Sequence, residues 1–442
     1  MQVLILAYHV YPDPAVGAKR VSELANHLAR AGWHVDVVCS ELKAADRSRV
    51  LDSRIRRHGI VRPLSIGLRL GRGLRAMRGS AGRDSVKEHP ASGASPAAPG
   101  DSGQTHRLQG LESLYHRIVG LVDGFKLWST IAAVRAMRLH PRPDVVVTSG
   151  PPWSPVVVAS LIARFRRIPL VADFRDPWVW ESRRDGDRVS RIQHRITRQL
   201  ERLVLRWASA VTVTTGRFQQ AMVGHHPTVS DKTFLLRNGF DPDMLITEPA
   251  PRGRLALLYA GTIYMNRNPV PLFDGLAALL SDPGVERAKV RLKLVGNCRR
   301  WREHSVSDLA RDRGLGDVVE VCGSVSAAEV RNLTLHANVI VNFAQGQPEQ
   351  VPAKLYEQIA SKRYGLLFAE QDSESAMLIE DCPRIRRVDD DGAQILRELR
   401  RLYASLVSER VNPDQDGNGT DAHRRDAVNE AYAGLLDRVI HQ

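Results

Sequence analysis

No run of eighteen apolar residues occurs in the chain, so nothing in it reads as a membrane-spanning helix. Its first residues, Met1 to Ala7, pass straight into a short apolar strand with neither a basic leader nor a small-residue cleavage site, and the expectation is a protein of the cytosol. Cysteine is sparse. The four residues, Cys39, Cys298, Cys322 and Cys382, are scattered, with no C-x-x-C pair and no histidine at zinc-ligand spacing, which argues for buried free thiols against a disulfide frame or a metal site. Repeats of the solenoid kind are missing, and so is any Ser-His-Asp or Cys-His arrangement of the sort used in covalent catalysis.

What is present points to two folded domains. The 442 residues exceed what one hydrophobic core usually serves, and domains of about 200 residues each are the default. Hydrophobic residues at 43% and charged residues at 25% place the chain among ordinary globular proteins and argue against wholesale disorder or a fibrous fold. A formal net charge of +14 asks for a partner, and nucleic acid, anionic lipid and phosphate-bearing substrates all fit it.

Residues 3–7 read as a buried strand, a Pro/Gly-rich loop follows through Gly17, and Val21, Leu24, Ala25, Leu28 and Ala29 then recur at helical spacing. Gly32 ends the helix and Val35 to Cys39 supplies the next strand, so the chain opens with a βαβ unit and a parallel sheet. Strands at Asp144 to Ser149, Leu170 to Asp173 and Val211 to Thr214, with helices over Pro155 to Arg167 and about Ser190 to Ala208, fill one doubly wound domain. After the turn dipeptide Asn238-Gly239 a second series begins. Its strands are Leu255 to Tyr259, Leu292 to Val295, Val318 to Val321, Val339 to Phe343 and Leu366 to Ala369. Its helices lie near Pro271 to Leu280, Val306 to Asp312, Ala327 to His336 and Lys354 to Ser361. Ligands of such sheets bind beyond the carboxyl ends of the strands, so two domains of this type facing each other would place a site in the cleft between them.

The segment 62–107 breaks the pattern. His89 to Gly103 is rich in Ala, Ser, Pro and Gly and reads as a mobile linker. Residues 62–87 carry Arg62, Arg69, Arg72, Arg75, Arg78, Arg83 and Lys87 against Asp84, with Ile66, Leu70, Leu74 and Met77 on one helical face. That pattern suits a basic amphipathic helix on an anionic membrane. It suits a solvated basic loop equally, since Gly67, Gly71 and Gly73 each weaken a helix by about 1 kcal/mol relative to Ala.

Gly17 sits between the first strand and the first helix, where a glycine lets backbone approach a phosphate or sugar, although an ordinary tight turn accounts for it as well. The loop matches neither the dinucleotide fingerprint nor the P-loop. Gly261 follows the strand Leu255 to Tyr259, and Arg267, six residues later, could reach a diphosphate lying over the glycine turn or simply be a surface arginine. More informative is Glu349-Gln-Val-Pro-Ala-Lys354-Leu-Tyr-Glu357, which runs from the end of a strand into a helix. Glu349 in the loop can bond sugar hydroxyls, Glu357 in the helix can accept from ribose hydroxyls, and free N–H groups between them face the phosphates. Lys354 brings positive charge where a leaving diphosphate needs it; a capped, charged surface helix is the plainer account. Val171-Ala-Asp173-Phe-Arg175-Asp176-Pro-Trp178 closes another strand with two carboxylates and an arginine, for catalysis or for a structural Arg175 to Asp176 network.

Together these segments resemble the family-4 glycosyltransferases, retaining enzymes of GT-B fold, and particularly the bacterial members that build cell-surface polysaccharides and glycolipids. The likeness rests on Gly17, Arg20, Leu24 and Gly32, on Ser149-Gly-Pro-Pro-Trp-Ser154, Asp173-Phe-Arg-Asp-Pro-Trp178, Arg237-Asn-Gly-Phe-Asp241 and Tyr259-Ala-Gly-Thr262, and on the pair Glu349 and Glu357. It spans nearly the whole chain outside 62–107. The resemblance implies an α/β protein of two doubly wound, Rossmann-like domains facing a cleft: 1–240 on the acceptor side, 241–420 on the nucleotide-sugar side, with a helix in 421–442 packing back on the first. It implies that Glu357 holds the donor ribose, Glu349 the transferred sugar, Arg267 with Lys354 the diphosphate, and that Gly17 lies against the phosphates or the sugar. Gly261, Thr262, Val351 and Pro352 complete the donor side, and Asp173, Arg175 and Asp176 join Glu349 in the chemistry. Departures exist: Thr262 and Arg267 stand where many relatives have Arg and Lys, Glu349-Gln-Val-Pro replaces a Glu-Gly-Phe-Gly lead, and the histidine of many first domains is absent.

The activity so implied is retaining transfer of a sugar from a UDP- or GDP-sugar to a glycan or lipid-linked acceptor, with no metal and no cofactor. The departing diphosphate is stabilised by Arg267, Lys354 and helix-end amides and takes the acceptor proton itself. The basic helix would hold the enzyme at the inner face of the cell membrane. Two rivals stay open. One is a nucleotide-sugar epimerase of the same architecture. The other is a nucleic-acid-binding protein, which charge alone suggests and which the arginines of one loop, without interleaved aromatics, support poorly.

Overall fold

The computed structural model describes residues 1–13, 15–41, 50–61, 123, 125–179, 191–264, 266–407 and 423–442. The basic helix expected in 62–87 and the linker expected after it lie outside the described residues. The chain divides into two compact units, Met1–Val211 with Leu436–Gln442, and Thr212–Leu435.

The opening elements are β1 (Gln2–Leu6), α1 (Val16–Arg30) and β2 (His34–Glu41). β1 is buried along its whole length, and α1 buries the stripe Ala18, Val21, Leu24, Ala25, Leu28 and Ala29 that its helical spacing announces. Gly32, at φ +85°, ends the turn after α1. There follow β3 (Arg56–Val61), α2 (Lys126–Met137), β4 (Val145–Gly150), α3 (Trp153–Arg166), β5 (Leu170–Phe174), α4 (Arg191–Trp207), β6 (Ala210–Val213), α5 (Gly216–His225) and β7 (Thr233–Leu235). These strands form a seven-stranded sheet of order β3-β2-β1-β4-β5-β6-β7. Its pairs β1 with β2, β2 with β3, β1 with β4 and β4 with β5 are parallel, as a βαβ opening requires.

The second series contains β8 (Leu255–Thr262), α6 (Val270–Leu280), β9 (Val290–Asn297), a small hairpin of β10 (Arg300–Trp301) and β11 (His304–Ser305), and α7 (Val306–Arg311). It continues with β12 (Val319–Val321), α8 (Ala327–His336), β13 (Val339–Phe343), α9 (Ala353–Ser361), β14 (Tyr364–Phe368), α10 (Glu374–Leu378), β15 (Ile385–Val388) and α11 (Gly392–Val407), before α12 (Arg425–His441). Its six strands pair in parallel in the order β12-β9-β8-β13-β14-β15. Leu257, Leu272, Phe273, Leu276, Leu292, Val341, Phe343 and Leu399 fill one core of this unit, each fully buried side chain contributing about 1.5–3 kcal/mol. Both sheets therefore start in the middle, wind outward one way, and then cross to wind the other way, the Rossmann-like plan.

One strand differs from its sequence expectation in a way that matters below. β8 does not stop at Tyr259 but runs through Gly261 to Thr262, with Gly261 paired to Gly296 and Thr262 to Asn297 of β9. Gly296 is at φ +108°, and a Cβ on it would lie 2.2 Å from the Gly261 carbonyl oxygen. The two glycines thus let the strand ends approach more closely than any side chain allows; the small residues that read as a turn belong to a ladder.

Candidate functional site

In the second sheet the direction of winding reverses between β8 and β13. The ladder joining them covers only Leu257 with Val339 and Leu258 with Ile340, although β8 continues to Thr262 and β13 to Phe343. Beyond Leu258 the strands part, which opens the crevice where doubly wound sheets bind their ligands. Leu258, Ala260 and Ile340 give this pocket an apolar floor, and α9 contributes Lys354 and Glu357 to it.

Helix α9 is tied to β13 by Gln358, which donates to the Ile340 carbonyl at 3.3 Å and accepts from the Asn342 amide. That attachment fixes Glu357 beside the pocket. Lys354 Nζ meets Glu357 Oε2 at 2.7 Å, with the lysine 45% and the glutamate 18% exposed, so the lysine head is open to solvent while the carboxylate is mostly covered. The helix begins after Pro352, which makes no side-chain cap bond. Its first N–H groups and the positive end of its dipole therefore lie beside Lys354, a combination that favours an anion. Val351 is a member of the core with Leu355 and Tyr356, so its side chain is a packing residue and only its backbone is offered to a ligand.

Glu349 lies in the loop before α9 and does not line this pocket. Three successive carbonyls hold its segment: Pro348 O accepts from the Glu374 N–H at 2.9 Å, Glu349 O from Thr215 Oγ1 at 2.5 Å and Gln350 O from Ser375 Oγ at 3.2 Å. Glu374, itself 2% exposed, is paired with Arg237 at 3.0 Å and accepts from the Arg217 N–H. Thr215, Arg237 and Glu374 form a positioning network that no local pattern signals, because the contacts join segments far apart in the chain.

Gly261 and Thr262 sit at the carboxyl end of β8, and Arg267 returns to them, its Nη1 donating to the Thr262 carbonyl at 3.3 Å and its Nη2 to Gln347 Oε1 at 3.4 Å. Its guanidinium also lies 4.5 Å from the centre of the Tyr264 ring. Arg267 is thus an organised cation at a strand end, not a loose surface arginine. Tyr259 beneath it donates its hydroxyl to Thr262 O at 2.8 Å, and burial pushes its phenol up to about 12.

The first unit carries a second constellation. Asp173, 3% exposed at the end of β5, accepts from Arg20 of α1 through Nε at 3.1 and 3.2 Å and through Nη2 at 3.0 Å, and from Ser149 Oγ of β4 at 2.7 Å. This buried, bidentate pair ties α1 to two adjacent strands. Arg175 donates to the carbonyls of Gly150 at 3.2 Å and of Pro151. Burial lowers the Arg175 guanidinium and raises the Asp176 carboxyl from their ordinary values, each charge partly opposing the shift of the other. A structural pair in this stretch is Arg20 with Asp173, beside the mutually opposed charges of Arg175 and Asp176. Gly17 lies inside the first turn of α1, and a Cβ there would fall 1.9 Å from Arg175 Nη1. Its bareness admits the Arg175 guanidinium at the place a Cβ would take.

With this geometry in place, the family model described as glycosyl transferase 4-like domain matches residues 17–239, just over half of the chain. The chain belongs to the glycosyl transferase 4-like family. Its fold is similar to that of sucrose-phosphate synthase from Thermosynechococcus elongatus, with a TM-score of 0.58 and 16% identity over 100% of each chain. It is similar also to Anabaena HepE in complex with UDP, at a TM-score of 0.61 and 13% identity over 99% of this chain and 100% of that one. A third similar structure, at a TM-score of 0.54 and 10% identity over 99% of each chain, is the lipopolysaccharide outer core galactosyltransferase WaaB. At such identities the likeness speaks for the fold, which is GT-B. A comparison with curated protein sequences found no match. The matched region of this glycosyltransferase ends at Gly239, so the crevice with Lys354 and Glu357 is read from its own geometry.

Proposed function

We propose that this glycosyltransferase takes its sugar from a nucleoside diphosphate donor, UDP- or GDP-linked, and passes it with retention of configuration to a glycan or lipid-linked acceptor in the making of cell-surface polysaccharide or glycolipid. The observation that carries the donor reading is the crevice between β8 and β13, where an apolar floor meets the Lys354 to Glu357 pair and the uncapped start of α9. The floor suits a base, Glu357 suits ribose hydroxyls, and Lys354 with the helix N–H groups suits a diphosphate. Charge that develops on the leaving diphosphate would be met by Lys354, Arg267 and the helix end, with no metal in that role. The occurrence of UDP in the similar HepE structure agrees with a uridine donor. A thermal-shift screen of UDP-, GDP- and ADP-sugars tests the reading: one donor at about 100 times its Kd should stabilise the protein by about 2.7 kcal/mol. Flat melting curves with every donor would overturn it.

The lipid-linked acceptor has support of its own. α2 exposes Leu127, Ile131, Val134 and Met137 along one stripe, and α3, which packs on α2, exposes Leu161 and Phe165, the latter at 76%. Lys126, Arg135, Arg138, Arg164 and Arg167 accompany them on the same two helices and their ends. Among the described residues this apolar stripe has no cover, and its basic company suits an anionic bilayer surface. No helix of the described residues is long and apolar enough to cross a membrane. Co-sedimentation with vesicles containing phosphatidylglycerol should be strong for the wild type and fall severalfold in Ile131→Glu with Val134→Glu. Equal binding by both proteins would remove α2 from the membrane reading.

A further inference from the structure

The second unit holds another cavity, of about 230 Å³, lined by Tyr364 at the first position of β14 and by Arg384 just before β15. It therefore lies at the amino ends of these strands, whereas the crevice opens where β8 and β13 part toward their carboxyl ends, and Ile246 is the only residue that lines both. Four cations line the second cavity, Arg252, Lys362, Arg363 and Arg384, against one carboxylate, Glu248. We infer that this cavity is a ligand site for a small phosphomonoester of hexose phosphate size, with Arg252, Lys362 and Arg384 on the phosphate and Ser405 on a sugar hydroxyl.

The cations are gathered without the counter-charges that would explain them. Arg363 is buried, and its guanidinium donates to carbonyls alone, those of Glu248 at 2.8 Å, Leu335 at 3.2 Å and Thr334 at 3.3 Å. A buried charge with no counter-ion is costly. Burial accordingly lowers this guanidinium from its ordinary value, Glu248 opposing the shift and Arg384 adding to it. Arg384 donates to the Lys362 carbonyl at 2.9 Å, which sets these two residues side by side. Lys362 closes α9 at φ +52°, a left-handed place usually given to glycine. Neither its ammonium nor the Arg252 guanidinium has an ion-pair partner among the described residues. The carboxyl ends of α8 and α9 carry about half a negative charge each, too little for four cations. A phosphate dianion supplies what is missing, and arginine forks match its oxygens.

The rest of the cavity suits a sugar. Ser405 of α11 is 5% exposed, and its hydroxyl has no hydrogen-bond partner among the described residues. Ile246, Tyr364 and Leu406, all buried, give an apolar side. One water takes about 30 Å³ in the liquid, so the cavity has room for a ring beside the phosphate.

The test titrates the full-length protein, with no nucleotide present, with glucose 6-phosphate, inorganic phosphate and glucose by calorimetry at constant ionic strength. Glucose 6-phosphate should bind, inorganic phosphate should bind more weakly, and glucose should give no heat. Arg252→Ala with Lys362→Gly should weaken glucose 6-phosphate on the order of 10²-fold, since two charge-assisted hydrogen bonds are lost. Its melting temperature should not fall, because both side chains are exposed and glycine suits the left-handed position. Ser405→Ala should weaken glucose 6-phosphate and leave inorganic phosphate as in the wild type. Lys354→Ala, in the crevice, should bind glucose 6-phosphate as the wild type does. No binding by the wild type, equal affinity for inorganic phosphate, or unchanged affinity in Arg252→Ala with Lys362→Gly would overturn the inference. A loss of binding in Lys354→Ala would overturn it too, by placing the ligand in the crevice. No titration contains a sugar donor, so the outcome is independent of the donor reading.

Discussion

Lys354→Ala is expected to lower sugar transfer on the order of 10² to 10³-fold, the usual loss when one charge-stabilising donor is taken from a transition state. Lys354 lies where the uncapped start of α9 and the crevice between β8 and β13 meet, so its ammonium would balance the charge that grows as the diphosphate departs. Glu357→Ala should act differently. It removes the partner proposed for the ribose, and donor binding should weaken by about 1.5 to 3 kcal/mol, as for a hydrogen bond to a charged group. Stability should hardly register either change. The ion pair between these residues is 2.7 Å long and half open to water on the lysine side, and such pairs contribute only about 0.2 to 1 kcal/mol. Steady-state kinetics with melting curves on the same preparations separates the cases. Normal rates and normal donor affinity in both variants would remove the crevice from the mechanism.

Asp173→Ala should show the opposite profile, a folding defect first. The carboxylate is 3% exposed, and three contacts to Arg20 with a fourth from Ser149 occupy it. Removing it strands the Arg20 guanidinium, 8% exposed, without its counter-charge. Such a loss costs about 3 to 5 kcal/mol, which for domains of this size corresponds to a fall in Tm on the order of 10 °C. Replacing both partners, as in Arg20→Met with Asp173→Leu, should recover much of the loss, because the desolvation penalty disappears with the pair. A stable but inactive Asp173→Ala would return this carboxylate to the chemistry.

The course of the chain was readable wherever a periodic apolar stripe coincided with a local stop or start. α8 has the bounds its pattern implies because Ser326 caps it, accepting from the Glu329 N–H at 3.2 Å. Both doubly wound sheets follow from strands alternating with helices. β3 was not readable, since only Ile60 of its six residues is buried and arginines occupy its start. The end of β8 was misjudged because glycines signal a turn in sequence, whereas here Gly261 and Gly296 permit two strand ends to lie close.

At the site, Lys354 and Glu357 stand out in sequence because the run from Glu349 to Glu357 leads from a strand into a helix, and the structure sets both beside the crevice. The pairing of Asp173 does not show there. Its partner Arg20 lies 153 residues away, and only the fold brings them together.

The central claim is that the nucleotide binds where β8 and β13 part. The structure of the protein crystallised with UDP tests it most directly. Ribose hydroxyls within hydrogen-bonding distance of Glu357 and a diphosphate against Lys354 and the first turn of α9 are the predicted result. Nucleotide bound elsewhere, with neither Glu357 nor Lys354 touching it, would contradict it.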